Sequence, residues 1–247
     1  FLKNNVFSIS FGTSLSKLAG CIRQIFIAAA FGIGVTYDAF NYAYIIPGFT
    51  LIIIGGINGP LHNAVITVLT PLNKKNGGIL LTRVSVKLTI LLLGLAILIF
   101  FNSSLIIELL APNLNYQAKS IATYQLKILT PCIPLSGFIG LSFGALNSRS
   151  KFFLSSLSPA ITSLTTISFI LISWIFKQQN SSSNFLFYSG LLAFATLTGT
   201  FIQFVVQIWE INKIGLLRLQ STLRLSTLKL LTNEERRIFK LIIPASI

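Results

Sequence analysis

The stretch VSVKLTILLLGLAILIFF, residues 84–101, carries a single charge, Lys87, in eighteen residues. As a helix rising 1.5 Å per residue it reaches roughly 27 Å, close to the thickness of a bilayer's hydrocarbon core. In hydrocarbon every backbone polar group must be satisfied within the protein, so an isolated stretch of this kind reads as a transmembrane helix. Comparable charge-poor stretches run over 5–31, 38–57, 122–146, 152–176 and 185–209, and a seventh begins at 238 and continues to 247. The whole 247-residue chain is 53% hydrophobic and 10% charged, with a mean hydropathy of +0.80. Globular domains carry about 25% charged residues. The pattern predicts an all-α fold, a polytopic transmembrane helix bundle of about six complete spans plus the start of a seventh.

The charges fall between the spans, and their alternation sets an expected orientation. Lys3, Lys74, Lys75, Arg83, Arg149, Lys151, Lys213, Arg218, Arg224, Lys229, Arg236, Arg237 and Lys240 lie on one side, against Lys119 and Lys177 on the other. Basic residues accumulate on the cytoplasmic side, which predicts a cytoplasmic N-terminus and a cytoplasmic linker over 210–237. The net charge of +14 is therefore read as membrane topology, with membrane lipids and not nucleic acid as partners. Leucines mixed with basic residues between Lys213 and Lys240 suit a segment resting on an anionic leaflet, or one packed on neighbouring helices. Thr232 followed by Glu235 has the spacing of a capping box and predicts a helix start. Cys21 and Cys132 both fall in apolar runs, so neither a disulfide scaffold nor a four-ligand zinc site is expected. No metal, no cofactor and no catalytic residue is expected. The phosphate-binding pattern Gly-x-x-x-x-Gly-Lys does not occur.

Four cations remain inside or at the edges of spans: Lys17, Arg23, Lys87 and Lys127. Lys87 and Lys127 lie near span ends, where a long side chain can reach the interface. The first span differs. At 100° per residue, Gly12, Thr13, Ser16, Lys17, Gly20, Arg23 and Gln24 fall within an arc of roughly 140°. Lys17 and Arg23 are six residues apart, about 9 Å along the axis, and acids at this depth are scarce, Asp38 being the nearest in sequence. One reading is an anion-facing cavity bounded by Ser16, Lys17, Arg23 and Gln24, with Asp38 as gate or charge partner. The other is a small-residue packing face formed by Gly12, Ser16 and Gly20. Asp38 also stands where it can complement the N-terminus of the second span. His62 reads as an interfacial polar residue, and Pro47, Pro131, Pro134 and Pro159 mark kinks.

The opening residues carry a family pattern. Ser16-Lys17, Gly20-Cys21-Ile22-Arg23, Phe31-Gly32-Ile33-Gly34, Tyr37-Asp38-Ala39-Phe40 and Pro47 resemble the start of the MviN/MurJ family, the lipid II flippases of bacterial peptidoglycan synthesis within the multidrug/oligosaccharidyl-lipid/polysaccharide exporter superfamily. Weaker echoes continue through Thr82-Arg83-Val84, Ala111-Pro112, Ser158-Pro159, Gln203, Gln207 and Lys213-Ile214-Gly215. The resemblance implies fourteen helices in two lobes, with residues 1–247 forming the N-terminal lobe of a two-lobe exporter and a missing C-terminal lobe as its partner. It implies alternating access that moves an undecaprenyl-pyrophosphate-linked peptidoglycan precursor, a lipid-linked pyrophosphate oligosaccharide, from the inner to the outer leaflet of the bacterial inner membrane. It places substrate contacts at Lys17, where the family has Arg, and Arg23, with Asp38 as partner. The family's further arginines are absent, and no basic residue occurs between Pro47 and Gly59. Alternatives are a flippase for another lipid-linked polysaccharide precursor, a multidrug exporter, whose organic cations call for acids in place of Lys17 and Arg23, and a membrane glycosyltransferase, for which the acids and the lone histidine are a poor inventory.

Overall fold

The computed structural model describes residues 2–32, 34–56, 59–177, 185–216 and 232–242, and helix is the only regular structure among them. Helix α1 spans Leu2–Phe31, α2 Val35–Ile53, α3 Pro60–Leu69, α4 Lys74–Phe101, α5 Ser103–Leu110 and α6 Tyr116–Leu129. Helix α7 spans Cys132–Ser148, α8 Phe152–Leu157, α9 Pro159–Lys177, α10 Phe185–Lys213 and α11 Asn233–Ile242. Their ends follow from local chemistry. Gly32 adopts φ +54° just past α1, a left-handed conformation that ends a helix and favours glycine. Asn73 and Asn115 accept backbone hydrogen bonds from Asn76 and Ala118 and so cap α4 and α6. Pro60 opens α3 at a position where its missing N–H costs nothing.

Among the described residues four helical stretches are long and apolar enough to cross a bilayer: Ile9–Phe31, Lys74–Phe101, Phe152–Ile175 and Tyr188–Lys213. A fifth is the pair α6–α7, bent by 44°. Leu18, Ile25, Leu91, Leu98, Ile175 and Trp209 are all exposed, an arrangement that only a hydrocarbon solvent makes favourable for so many large apolar groups. The chain is a multi-pass membrane protein. Several boundaries differ from those expected. The helix of 84–101 starts ten residues earlier because of the Asn73 cap, and 122–146 is two helices because Pro131 has no N–H to continue the ladder. The expected second span, 38–57, ends as helix at Ile53, and α3 follows it as a separate helix that apolar length alone did not indicate.

The two broken elements lie side by side. Helix α2 packs along α6 and α3 along α7, and Ile54 and Gly55, just past α2, face the middle of α7. Glycines 137, 140 and 144 on one face of α7 make this possible. A Cβ on Gly140 would overlap the carbonyl oxygen of Ile54, and one on Gly144 would come within 2.6 Å of Val65. Gly137 receives Leu88 and Leu92 of α4 in the same way. Small residues let helix backbones approach where no hydrophobic force draws helices together, because lipid is as apolar as leucine.

Buried polar contacts secure the two ends of the bundle. At one end Arg149 donates to the Leu72 carbonyl at 2.8 Å, and Lys87 donates to Glu235 at 2.7 Å. Glu235 is fully buried and also accepts from the Thr232 backbone N–H, while its own N–H donates to the Thr232 hydroxyl. The expected capping box is thus formed, and Lys87 reaches a carboxylate where an interfacial position was expected. Amphipathic α11, with Ile238 buried and Arg236, Arg237 and Lys240 outward, docks on α3 and α4 there. At the other end buried Gln125 donates to the carbonyls of Thr36 and Ser189, tying α6 to α2 and α10. Of the outer loop expected over 177–184, Lys177 is the last residue of α9 and 178–184 lie outside the described residues, as does most of the linker over 210–237.

Gly140→Ala should cost about 1–3 kcal/mol or more, because the obstructing atom is backbone and cannot rotate away. Gly94, with nothing within 4 Å of an added Cβ, is the control. Thermal unfolding in detergent should show a lowered midpoint and poor recovery for Gly140→Ala and no loss for Gly94→Ala.

Candidate functional site

Helix α1 meets the bundle mainly through α8 and α9. Gly12 lies against Ser156 and the Phe153 carbonyl, where an added Cβ would sit 3.0 and 3.4 Å away. Gly20 faces Ser163, Ala19 and Ile27 are buried, and Phe26 stacks on Trp174 at 5.9 Å. The small-residue packing face is therefore real, and Ser16 and Arg23 lie on it, half-buried. Lys17 and Gln24 do not. Both are exposed, on a flank about 120° round the helix from Arg23 at 100° per residue. The single polar arc expected from the sequence is two surfaces, because α8–α9 cover its centre and leave its edge open. The outer one is a stripe of Ser10, Ser14, Lys17, Cys21, Gln24 and Ala28, all exposed and spaced alternately by four and three.

Arg23 lines an open cavity of about 280 Å³ between α1, α2, α7, α9 and α10. Its lower-helix wall is the break after α2, with Leu51, Ile52, Gly55 and Gly56. Facing these are Thr162 and Thr166 of α9 and Thr196, Thr200 and Gln203 of α10, with Tyr44 beside them. The Arg23 Nε is enclosed and has no hydrogen-bond partner among the described residues. Nor does a carboxylate stand within ion-pair distance of it, since the ion pair found among those residues is Lys87–Glu235. A guanidinium carries five donors and no acceptor, so this geometry leaves a positive charge beside a cavity lined partly by hydroxyls and partly by apolar side chains, with the Nε–H unpartnered among the described residues. The threonines and Tyr44 were not among the residues singled out from the sequence, although pairs four apart at 162/166 and 196/200 put two hydroxyls on one face of each helix.

The remaining polar residues take other places. Asp38 is exposed in the first turn of α2 and makes no ion pair with Arg23, so its place in this structure is at the helix N-terminus. His62 is buried, its Nε2 2.7 Å from the Asn147 amide, which in turn accepts from Ser155. It links α3, α7 and α8. Lys127 is exposed with its Nζ 5.8 Å from the Phe100 ring centre. Cys132 is buried while Cys21 is exposed, and both are free thiols. Among the described residues no three His, Cys, Asp or Glu side chains are grouped as metal ligands.

Comparison with known proteins places this architecture. The family model described as "Lipid II flippase MurJ" matches residues 27–247. The chain is 36% identical to the probable lipid II flippase MurJ of Synechocystis sp. over 243 residues, covering 97% of this chain and 44% of that protein. It is 27% identical to the lipid II flippase MurJ of Thermosipho africanus, covering 76% and 39%. A solved structure of a lipid II flippase MurJ in an inward closed conformation superposes with a TM-score of 0.74 at 24% identity, over 96% of this chain and 46% of that one. The chain thus spans less than half the length of these relatives, where it corresponds to their N-terminal half. By its match to the family model over 27–247, the chain belongs to the MurJ lipid II flippase family.

Proposed function

We propose that this chain serves as the first lobe of a transporter that moves a lipid-linked pyrophosphate oligosaccharide, lipid II of peptidoglycan synthesis, from the inner to the outer leaflet by alternating access. The observation that carries the reading is Arg23, a cation without a carboxylate partner, beside a cavity lined partly by hydroxyls within a bundle of membrane helices. A charge in that position costs several kcal/mol unless an anion or water meets it, which is why intramembrane cations mark substrate paths. A pyrophosphate offers the oxygen pairs that a guanidinium fork engages. Its sign also disfavours organic cations as cargo.

Lys17, Ser16 and Gln24 are assigned to the same path in two stations. Ser16 shares the inward face with Arg23, whereas Lys17 and Gln24 lie on the exposed polar stripe of α1, a flank too polar for lipid and suited to a water-filled passage between lobes. Lys17 would supply positive potential to the headgroup as it passes, and Asp38, at the far end of α1 and α2, would act as a gate with the second lobe. The protein would reside in the bacterial inner membrane with its N-terminus, Lys74, Arg149 and α11 at the cytoplasmic face. The gathering of Arg149 with Leu72, and of Lys87 with Glu235, at one end of the bundle supports this orientation.

Three outcomes follow. In the protein as its gene encodes it, Arg23→Ala should abolish rescue of a flippase-depleted bacterium at normal membrane levels and weaken polyprenyl diphosphate binding by at least tenfold, the scale of one charge-assisted hydrogen bond. Unchanged growth and binding would remove Arg23 from the path. Lys17→Arg should be tolerated and Lys17→Gln and Lys17→Glu should lose transport, since charge and not fork geometry is required there; wild-type rates for Lys17→Gln would contradict it. Single cysteines placed in a Cys21- and Cys132-free background should react at Asn233 from the inside only and at Asn115 from the outside only, and the reverse would invert the topology.

A further inference from the structure

The cavity beside Arg23 has an apolar side, with Leu51, Ile52, Ile139 and Phe143, and two chemically different polar walls that together favour one class of ligand. On α9 the Thr162 hydroxyl donates to the Pro159 carbonyl at 2.8 Å and the Thr166 hydroxyl to Thr162 at 2.9 Å. On α10 the Thr196 hydroxyl donates to Leu192 at 2.7 Å and the Thr200 hydroxyl to Thr196 at 2.8 Å. Each hydroxyl spends its one proton on its own helix, and the buried Thr200 also meets the Cys132 thiol, so it is chiefly Thr162 and Thr196 that keep lone pairs for an occupant. Gln203 gives one amide N–H to the Ser158 hydroxyl at 3.2 Å, which leaves its carbonyl oxygen as a further acceptor beside its second N–H. The α9–α10 wall therefore accepts hydrogen bonds, and the α1 wall, through Arg23, donates them and carries positive charge. The spacing of these walls is fixed by backbone contact: a Cβ on Gly199 of α10 would sit 2.8 Å from the Thr162 Cα.

This pairing excludes simple occupants. A bare anion would satisfy Arg23 and face the acceptor oxygens, whereas a metal ion would suit the oxygens and be repelled by Arg23. A hydrocarbon chain would leave both polar walls unpaired, whereas a separate space of about 610 Å³ lined by Pro131, Pro134, Leu135, Phe138, Phe201 and Phe204 is almost wholly apolar. A group that bears a negative charge at one side and hydroxyl or amide donors at the other fits both walls. The space, about 280 Å³ and open on one side, has room for a group of the size of one sugar ring, with any remainder of a headgroup extending out of it.

We infer that this cavity is the subsite for the single sugar ring joined directly to the pyrophosphate, with Thr162 and Thr196, the half-exposed pair, accepting from the ring's donors while Arg23 holds the phosphate. The inference rests on the functional reading above and adds to it the residues that distinguish a glycosylated carrier from a bare one. The remainder of a larger headgroup stays outside the cavity, so selectivity at this site concerns the first sugar.

The test uses the gene-encoded protein in nanodiscs and two probes, polyprenyl diphosphate and the same lipid carrying one N-acetylhexosamine. The double substitution Thr162→Val with Thr196→Val keeps the side-chain shape and removes both acceptors. It should weaken binding of the glycosylated lipid about tenfold, as loss of two neutral hydrogen bonds predicts, and leave the bare diphosphate within twofold. Thr162→Ser with Thr196→Ser, which keeps both hydroxyls, should restore the difference. Equal loss for both lipids in the valine variant, or no loss for either, would overturn the sugar subsite. Arg23→Gln separates the two levels: it should weaken both probes, and if it weakens neither, the functional reading itself fails, whereas weakening by Arg23→Gln with no change in the valine variant removes only the sugar subsite.

Discussion

The close approach of Gly140 to the Ile54 carbonyl is the contact on which the rest of the molecule depends. In hydrocarbon a helix can be interrupted only where protein or an enclosed cavity receives the freed backbone groups. Here α2 stops at Ile53 and α6 stops at Leu129, and α7 covers the first of these breaks with a face of glycine. The interruption widens the bundle beside Gly55 and Gly56, and the cavity that holds Arg23 opens there. A side chain at Gly140 would push the break away and close or distort that space. Packing at one backbone contact thus controls the geometry of the polar site.

Lys87 and Arg23 show how differently a charge can be accommodated. Lys87 is matched by Glu235, whose second partner, the Thr232 N–H, comes from the cap of α11. That pair fastens α11 to the body of the lobe, and breaking one half would leave the other charge buried, which costs about 3–5 kcal/mol. Arg23 has no such match. A structural cation is neutralised within the fold, whereas one that must take and release an anionic cargo has to remain free to do so.

Most of the architecture was legible from charge-free length, since hydrocarbon thickness fixes how long a crossing helix must be. The α11 cap was legible too, because Thr232 and Glu235 are neighbours in sequence and their bonds are local. The division of α1 into two polar surfaces was not. Lys17 and Arg23 are separated by an angle that permits either one face or two, and only the docking of α8 and α9 decides it. Helix α3 was hidden because the Gly55-Gly56 and Gly59-Pro60 signals read equally well as the end of a span. The threonine wall escaped notice because Thr is common in membrane helices, and its meaning arises only when α9 and α10, joined through residues outside the described set, bring two such pairs together across from Arg23.

The measurement that bears most directly on this account is an experimental structure of the gene-encoded protein with a glycosylated polyprenyl diphosphate bound. The account predicts a phosphate oxygen within about 3 Å of the Arg23 guanidinium, the distance of a charge-assisted hydrogen bond, with the first sugar between Thr162 and Thr196. A phosphate held entirely by other residues, with Arg23 still facing an unoccupied or solvent-filled cavity, would contradict it.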